Sequence, residues 1–218
     1  MGAGAMNVRF SERELKDLLI AWLALGLAFA IFINYDMVQG MLAGRPPNPA
    51  AVVGALAVSL FTAGIGFLLH ELAHKVVAVR FGQIAEFRAD YNMLFLAVVS
   101  ALAGFLFAAP GAVHHRGRIS ERENGLIALA GPVTNVALAL VFVVPLVVAW
   151  FGLFGGLLFE LAALGVSINL LLAGFNMIPF GPLDGKKVLA WSKPVYAVVA
   201  APMLLLGVFV LLAGVPGL

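Results

Sequence analysis

Six apolar segments, each about as long as a bilayer is thick, make up most of this sequence. They are residues 18–38, 50–79, 92–110, 125–151, 156–178 and 194–215. A helix needs about 20 apolar residues to cross the hydrocarbon core of a membrane. Of the 218 residues, 63% are hydrophobic and only 11% are charged, whereas soluble domains carry about 25% charged residues. The sequence therefore predicts an all-α polytopic membrane protein with five to six transmembrane helices.

The basic residues are gathered at four places, and their positions bear on the direction of each span. The clusters lie within 9–16, 75–88, 116–122 and 186–193, and Arg45 lies alone between the first two apolar segments. Lys and Arg are enriched in cytoplasmic loops. All four clusters can face the cytoplasm only if segment 92–110 enters and leaves on the same side. We therefore predict five full spans and one re-entrant or interfacial segment, with the N-terminus in the cytoplasm and the C-terminus outside. The alternative is that all six segments cross.

Short stretches with partly alternating polarity flank segment 92–110. Residues 81–88 and 111–119 are bounded by glycine, and each has the pattern of a short strand. Non-helical backbone at membrane depth is tolerated only where protein or water covers its polar groups. We expect a small membrane-associated β element here. An edge strand of such an element would hold an unwound peptide by strand addition.

A metal-binding pattern lies at the end of the second apolar segment. His70-Glu71-Leu72-Ala73-His74 follows an uncharged run, residues 50–69. On a helix the two histidines lie one turn apart on the same face, so both imidazoles can reach one metal ion, with Glu71 beside them as a general base. Ionisable groups are costly within a membrane. The pattern therefore predicts a metal-dependent reaction at membrane depth.

A catalytic zinc site usually has a third protein ligand, and the sequence offers three candidates. Asp184 follows the inner end of the fifth apolar segment, on the same side as the histidine pair, whereas Glu160 starts that segment near the outer face. The pair His114 and His115 is an alternative, although adjacent residues rarely share one metal. The chain has no cysteine, which excludes thiolate ligands. We expect Asp184 to be the third ligand.

Three motifs together resemble the site-2 protease family of intramembrane zinc metalloproteases. They are the HELAH sequence, Gly131-Pro132-Val133-Thr134-Asn135, and the Asn-x-x-Pro-x-x-Pro-Leu-Asp-Gly pattern of residues 176–185. The resemblance implies that His70, His74 and Asp184 bind one Zn²⁺, and that Glu71 activates water. It also implies that the substrates are transmembrane segments of other proteins, cut within the bilayer during regulated intramembrane proteolysis. The catalytic core would be residues 50–185, in a compact member without a PDZ domain.

Two asparagines lie in otherwise apolar segments and are candidates for contact with the substrate. Asn135 and Asn176 each carry an amide that can donate to the oxyanion of a tetrahedral intermediate. The alternative for each is a hydrogen bond between helices, a usual role of amides in membranes.

Other functions remain open at this point. They are a membrane zinc hydrolase acting on a lipid or a prenylated peptide, a non-catalytic scaffold, and a transporter. The net charge of +2 is too small to suggest nucleic acid as a partner, and the oligomeric state is not predicted. The first and last apolar segments lack buried polar residues and are candidate gates for substrate entry. Residues 1–17 are expected to be a cytoplasmic segment, of which 1–5 are a leader left by cloning, and residues 18–218 a single transmembrane metalloprotease domain.

Overall fold

The computed structural model describes residues 8–153 and 155–213, which form eight helices and two strands. In chain order these elements are α1 Glu12–Ile33, α2 Tyr35–Leu42, α3 Pro49–Arg80, β1 Ile84–Ala89, α4 Tyr91–Leu102, β2 Gly111–Arg116, α5 Glu121–Trp150, α6 Gly156–Asn176, α7 Asp184–Trp191 and α8 Lys193–Ala213. The predicted leader, residues 1–5, lies outside the described residues, as does the end of the last apolar segment.

Five of these helices are long and apolar enough to cross a membrane: α1, α3, α5, α6 and α8. The chain is an integral membrane protein, and the prediction of an all-α protein with five to six transmembrane helices is confirmed. Helix α4 has only 12 residues. Strands β1 and β2 pair in antiparallel fashion, from Ile84 opposite Arg116 to Ala89 opposite Gly111. The segment between them therefore begins and ends at the same small sheet, so it returns to the end of the bundle that it left.

The strands are shorter than the patterned stretches that predicted them. Phe81 still donates its N–H to the Val77 carbonyl, because α3 continues up to that point. Gly82 then takes a φ of 75°, which a glycine adopts without strain. At the other end the sheet stops at Arg116, where Gly117 packs closely against the side chain of Gln83. The predicted strand bounds, 81–88 and 111–119, were too wide for these local reasons.

Helix α1 begins six residues before the apolar segment that predicted it. Ser11 caps the helix, since its hydroxyl accepts the N–H of Glu14 at 3.2 Å. Glu14 and Asp17 are both buried, at 0% and 3% exposure. Residues 12–17 therefore form the first part of helix α1, ahead of the apolar segment.

Helix α3 contains one π-helical turn, Leu60–Gly64, between its N-terminal half and the half that carries the histidines. A π-turn inserts an extra residue into one turn and rotates the two halves of a helix relative to each other. The Leu60 carbonyl accepts a hydrogen bond from Nε1 of Trp22 at 3.1 Å, and Gly64 leaves room for the same indole ring. Helix α1 thus supports the turn that sets the direction of the histidine face.

Small residues allow the remaining spans to approach closely, as is usual in membrane bundles. Gly165 of α6 lies against the ring of Phe142 in α5, and Gly174 of α6 lies against the backbone of Met203 in α8. Helix α6 is therefore enclosed between α5 and α8. The histidine half of α3 packs against α5. The small sheet lies beside it, with Val113 packed against the cluster of Ala78, Ala85 and Ile127.

Candidate metal centre

Helix α3 brings the first three predicted site residues together. His70, Glu71 and His74 are buried, with exposures of 5%, 8% and 7%. The two imidazoles meet edge to face, and their Nε2 atoms lie 2.9 Å apart. The three residues form a group that can hold a metal ion. This geometry follows directly from the one-turn spacing of the motif.

The turn after α6 delivers Asp184 to the same point. Its Oδ2 lies 3.3 Å from Nε2 of His70 and 3.1 Å from Nε2 of His74. The turn is compact because Gly185 lies against the Met177 carbonyl, where a Cβ atom would collide.

The other ring nitrogen of each histidine faces a hydrogen-bond acceptor on α5. Nδ1 of His70 lies 2.6 Å from Oδ1 of Asn135, and Nδ1 of His74 lies 2.7 Å from the Ile127 carbonyl oxygen. A carbonyl oxygen accepts and cannot donate. Both Nδ1 atoms therefore carry a proton, and in the neutral imidazoles both Nε2 atoms present a lone pair to Asp184 and to each other.

These lone pairs test whether the residues present fit a zinc ion. Two Nε2 atoms and one carboxylate oxygen approach within 3.3 Å of one another, and in the neutral imidazoles neither Nε2 carries a proton to bridge the gap. Such a set is repulsive unless a cation lies between its members. Tetrahedral zinc with bonds of about 2.0–2.1 Å has ligand atoms about 3.3–3.4 Å apart. In addition, Oε2 of Glu71 is buried without a hydrogen-bond partner among the described residues. The donor set fits zinc.

Asn135 is fully enclosed and links three helices. Its Nδ2 donates to the Gly66 carbonyl at 3.1 Å and to Oδ1 of Asn169 at 3.0 Å, and Asn169 in turn donates to the Gly165 carbonyl at 2.8 Å. Both amide protons of Asn135 therefore have partners within the bundle, and its oxygen faces His70. The sequence analysis missed Asn169, although the signal that singled out Asn135, an amide in an apolar helix, applies to it equally.

The other candidates do not belong to the metal-ligating group found among the described residues. Asn176 is half-buried at the end of α6, where its Nδ2 donates to the Leu172 carbonyl at 2.9 Å. Glu160 is exposed near the opposite end of that helix. His114 is exposed and His115 half-buried on β2, and neither joins the metal-ligating group found among the described residues. Burial, followed by the charges of Lys187 and His114, lowers the pKa of His115.

Helix α5 approaches the two histidines through a glycine. A Cβ atom on Gly131 would lie 2.5 Å from Nε2 of both His70 and His74. A glycine is therefore required at this position, because any side chain would occupy the space where the ligand atoms converge.

Comparison with known proteins places the chain in a family. It is 41% identical over 198 residues, covering 90% of this chain and 93% of the relative, to "Putative zinc metalloprotease MJ0611" of Methanocaldococcus jannaschii. The chain belongs to the site-2 protease family. It is also 31% identical over 156 residues to "Putative zinc metalloprotease YwhC" of Bacillus subtilis, covering 65% of this chain and 70% of the relative.

A further relative, "Putative zinc metalloprotease Rip3" of Mycobacterium tuberculosis, is 30% identical over 152 residues, covering 70% of this chain and 34% of that protein. No family model and no solved structure matches the chain. As a site-2 protease family member the chain is a zinc metalloprotease of the membrane, and zinc is its metal.

Replacing Gly131 by alanine is expected to abolish zinc binding, because the new methyl group would displace one or both imidazoles. Zinc per chain, measured by mass spectrometry of the purified protein, should fall from one to near zero. Gly54→Ala is the control, since no atom lies near its Cβ position and alanine favours the helix. A Gly131→Ala protein with full zinc content would contradict the close approach of α5.

Asn135→Leu is expected to weaken zinc binding about 10- to 100-fold, the usual effect of losing a hydrogen-bond partner of a metal-ligating histidine. Competition with a fluorescent chelator measures the affinity. Asn176→Leu is the matched comparison, because its amide bonds within its own helix, and its zinc affinity should be unchanged. Equal losses in the two variants would show that Asn135 does not act through His70.

Proposed function

We propose that this protein is an intramembrane protease that hydrolyses peptide bonds in or near the transmembrane segments of other membrane proteins. The observation that carries the proposal is the location of the donor set. His70, His74 and Asp184 converge, with Glu71 beside them, among helices that are apolar enough to cross a bilayer. A substrate that reaches this place must itself be able to enter the membrane.

In the proposed reaction His70, His74 and Asp184 hold the metal and Glu71 moves the proton. Zinc bound there supplies Lewis-acid chemistry and an acidified water. Glu71 accepts the proton from the attacking water and passes it to the leaving amine, and its Oε2 has no competing hydrogen bond among the described residues. Asn135 keeps His70 in the required tautomer, which leaves Asn176 as the candidate donor to the oxyanion.

We propose further that the site opens toward the cytoplasm. The small sheet, helix α7 and the start of α1 lie at the same end of the bundle as the site, because Glu14 contacts Phe87 of β1 and Asp184 begins α7. All four basic clusters flank these elements. In the last of them, Nζ of Lys187 lies 3.4 Å from Oδ1 of Asp184. The charge rule for cytoplasmic loops supports this orientation, with the N-terminus inside.

A helical substrate must unwind before its carbonyl groups can be attacked, and we propose that β2 holds the unwound segment. The N–H of Phe87 donates to Oε1 of Glu14 at 3.0 Å, so it points away from β2. In an antiparallel pair the residue opposite, Val113, also directs its N–H and carbonyl groups outward. Glu14 closes the outer edge of β1 at this point. The outer edge of β2 is the one left for strand addition, and Val113 packs in the same cluster as Leu72, the neighbour of Glu71.

The metal-site variants test the proposed reaction. His70→Ala, His74→Ala and Asp184→Ala should lose zinc, whereas Glu71→Gln should retain one zinc per chain and lose at least about 10²-fold in turnover, as expected for removal of a general base. Turnover is measured on a single-span membrane peptide reconstituted with the enzyme, with and without a chelator. Glu160→Gln, a change at an exposed carboxylate, should cleave at the normal rate. Cleavage of a lipid ester but of no peptide would refute the proposed substrate class.

Proline at Val113 tests the substrate-binding edge, because it removes one outward N–H from β2. Val113→Pro should impair cleavage of a helical substrate more than cleavage of a peptide that is already extended, since strand addition provides the free energy that unwinds a helix. Val113→Ala retains the N–H and should act like the unaltered protein on both. Equal impairment of both substrates by Val113→Pro would argue against β2 as the binding edge.

A further inference from the structure

The most enclosed charged groups outside the metal centre are Glu14 of α1 and Lys75 of α3. Their exposures are 0% and 1%. Nζ of Lys75 lies 2.5 Å from Oε2 of Glu14 and 2.6 Å from the Arg9 carbonyl oxygen, and it stands 3.9 Å from the centre of the Phe10 ring. The ammonium group is thus paired and surrounded, and the pair has no part in the proposed reaction steps.

The position of this ion pair connects two functional elements. Lys75 directly follows the metal-ligating residue His74 on α3. The second carboxylate oxygen of Glu14 accepts the N–H of Phe87 in β1. A single carboxylate therefore links the histidine helix to the strand that pairs with β2. Phe87 also meets Phe67 of α3 edge to face, with ring centres 5.8 Å apart, so an apolar contact reinforces the same junction.

Stability alone does not account for a buried ion pair. Removing two charges from water costs several kcal/mol per ion, and well-packed apolar residues of similar volume are often equally stable in their place. An apolar pair, however, makes no directional hydrogen bonds. The carboxylate meets one partner on each of its two oxygens, and both hydrogen bonds restrict where the strand can lie relative to the helix.

We propose that Glu14 and Lys75 are positioning residues, which hold the β1–β2 sheet at a fixed place beside the metal centre so that a substrate strand on β2 presents its carbonyl to Glu71. The substrate part of this inference rests on the proposed function. The geometric part does not, because it concerns only the distance between two elements of this chain.

Two uncharged double variants distinguish the Glu14–Lys75 ion pair from the hydrogen bond between Glu14 and Phe87. E14Q/K75M removes both charges, and the glutamine oxygen can still accept the Phe87 N–H. E14L/K75M has the same charge and a similar volume, but it also removes that acceptor. Asp17→Asn is the control for loss of a buried carboxylate from α1. Asp17 bonds to Tyr91 at 2.6 Å and lies 3.8 Å from Arg88 of β1, so it contacts the strand, but the ion pair to the histidine helix is made by Glu14. Should E14L/K75M not be recovered in folded form, E14Q/K75M carries the test alone.

The direct measurement is the distance between the sheet and α3. The chain has no cysteine, so spin labels can be placed specifically at Phe61→Cys and Ile84→Cys, which are 62% and 75% exposed. Pulsed electron paramagnetic resonance should give a narrow distance distribution for the parent and the Asp17→Asn protein. It should be broader for E14Q/K75M and broadest for E14L/K75M. Equal widths in all four proteins would overturn the proposal.

Kinetics provide the second readout. The two double variants should keep one zinc per chain and lose about 10- to 100-fold in kcat/KM on a helical substrate, as expected when a reacting group is displaced by about 1 Å. Loss of zinc in E14Q/K75M would overturn the proposal, because the pair would then support the metal site itself. Broadened distances in an enzyme whose parent form cleaves no membrane peptide would support the positioning role while refuting the proposed function.

Discussion

Two imidazole lone pairs and a carboxylate oxygen face one another inside a bundle of apolar helices, and the rest of the structure is arranged to hold them there. Charges interact strongly where water is scarce, so this group is unfavourable without a cation and strongly attractive to one. With neutral imidazoles, the helices therefore have to resist the mutual repulsion of His70, His74 and Asp184 when no cation is bound. The close contacts of Gly131 with both imidazoles and of Gly185 with the Met177 carbonyl hold the three ligands in place.

Helix α5 contributes most to this arrangement without contributing a metal ligand. Within about two turns it places a carbonyl against one histidine, a glycine against both, and an amide oxygen against the other. Asn135 extends the support to α6 through Asn169. The orientation of both imidazoles is thus set from a neighbouring helix, and α3 itself supplies only the spacing of the two rings.

Features that depend on nearby residues could be predicted from the sequence, whereas features that depend on contacts between distant residues could not. The face shared by His70 and His74 depends on helix periodicity alone. Asp184 could be associated with them because charge placement restricted which loops share one side of the membrane, although the sequence left other ligands open. The ion pair of Glu14 and Lys75 could not be foreseen. Lys75 was interpreted as one basic residue of a cytoplasmic cluster, because its partner lies 61 residues away on another helix. The π-turn in α3 has no sequence signature of its own, and it depends on the indole of Trp22.

The partner of His74 has a consequence for how this site tolerates change. Nδ1 of His74 bonds to the backbone carbonyl of Ile127, and no replacement of the Ile127 side chain removes a carbonyl group. A survey of substitutions at that position would report sensitivity to size, because Ile127 is buried at 4% exposure, and would give no indication of a link to the metal. One of the two hydrogen bonds to the histidine Nδ1 atoms therefore depends on the position of the α5 backbone and not on the identity of a side chain. Such support is robust to point mutation, but it is lost all at once if α5 shifts along its axis.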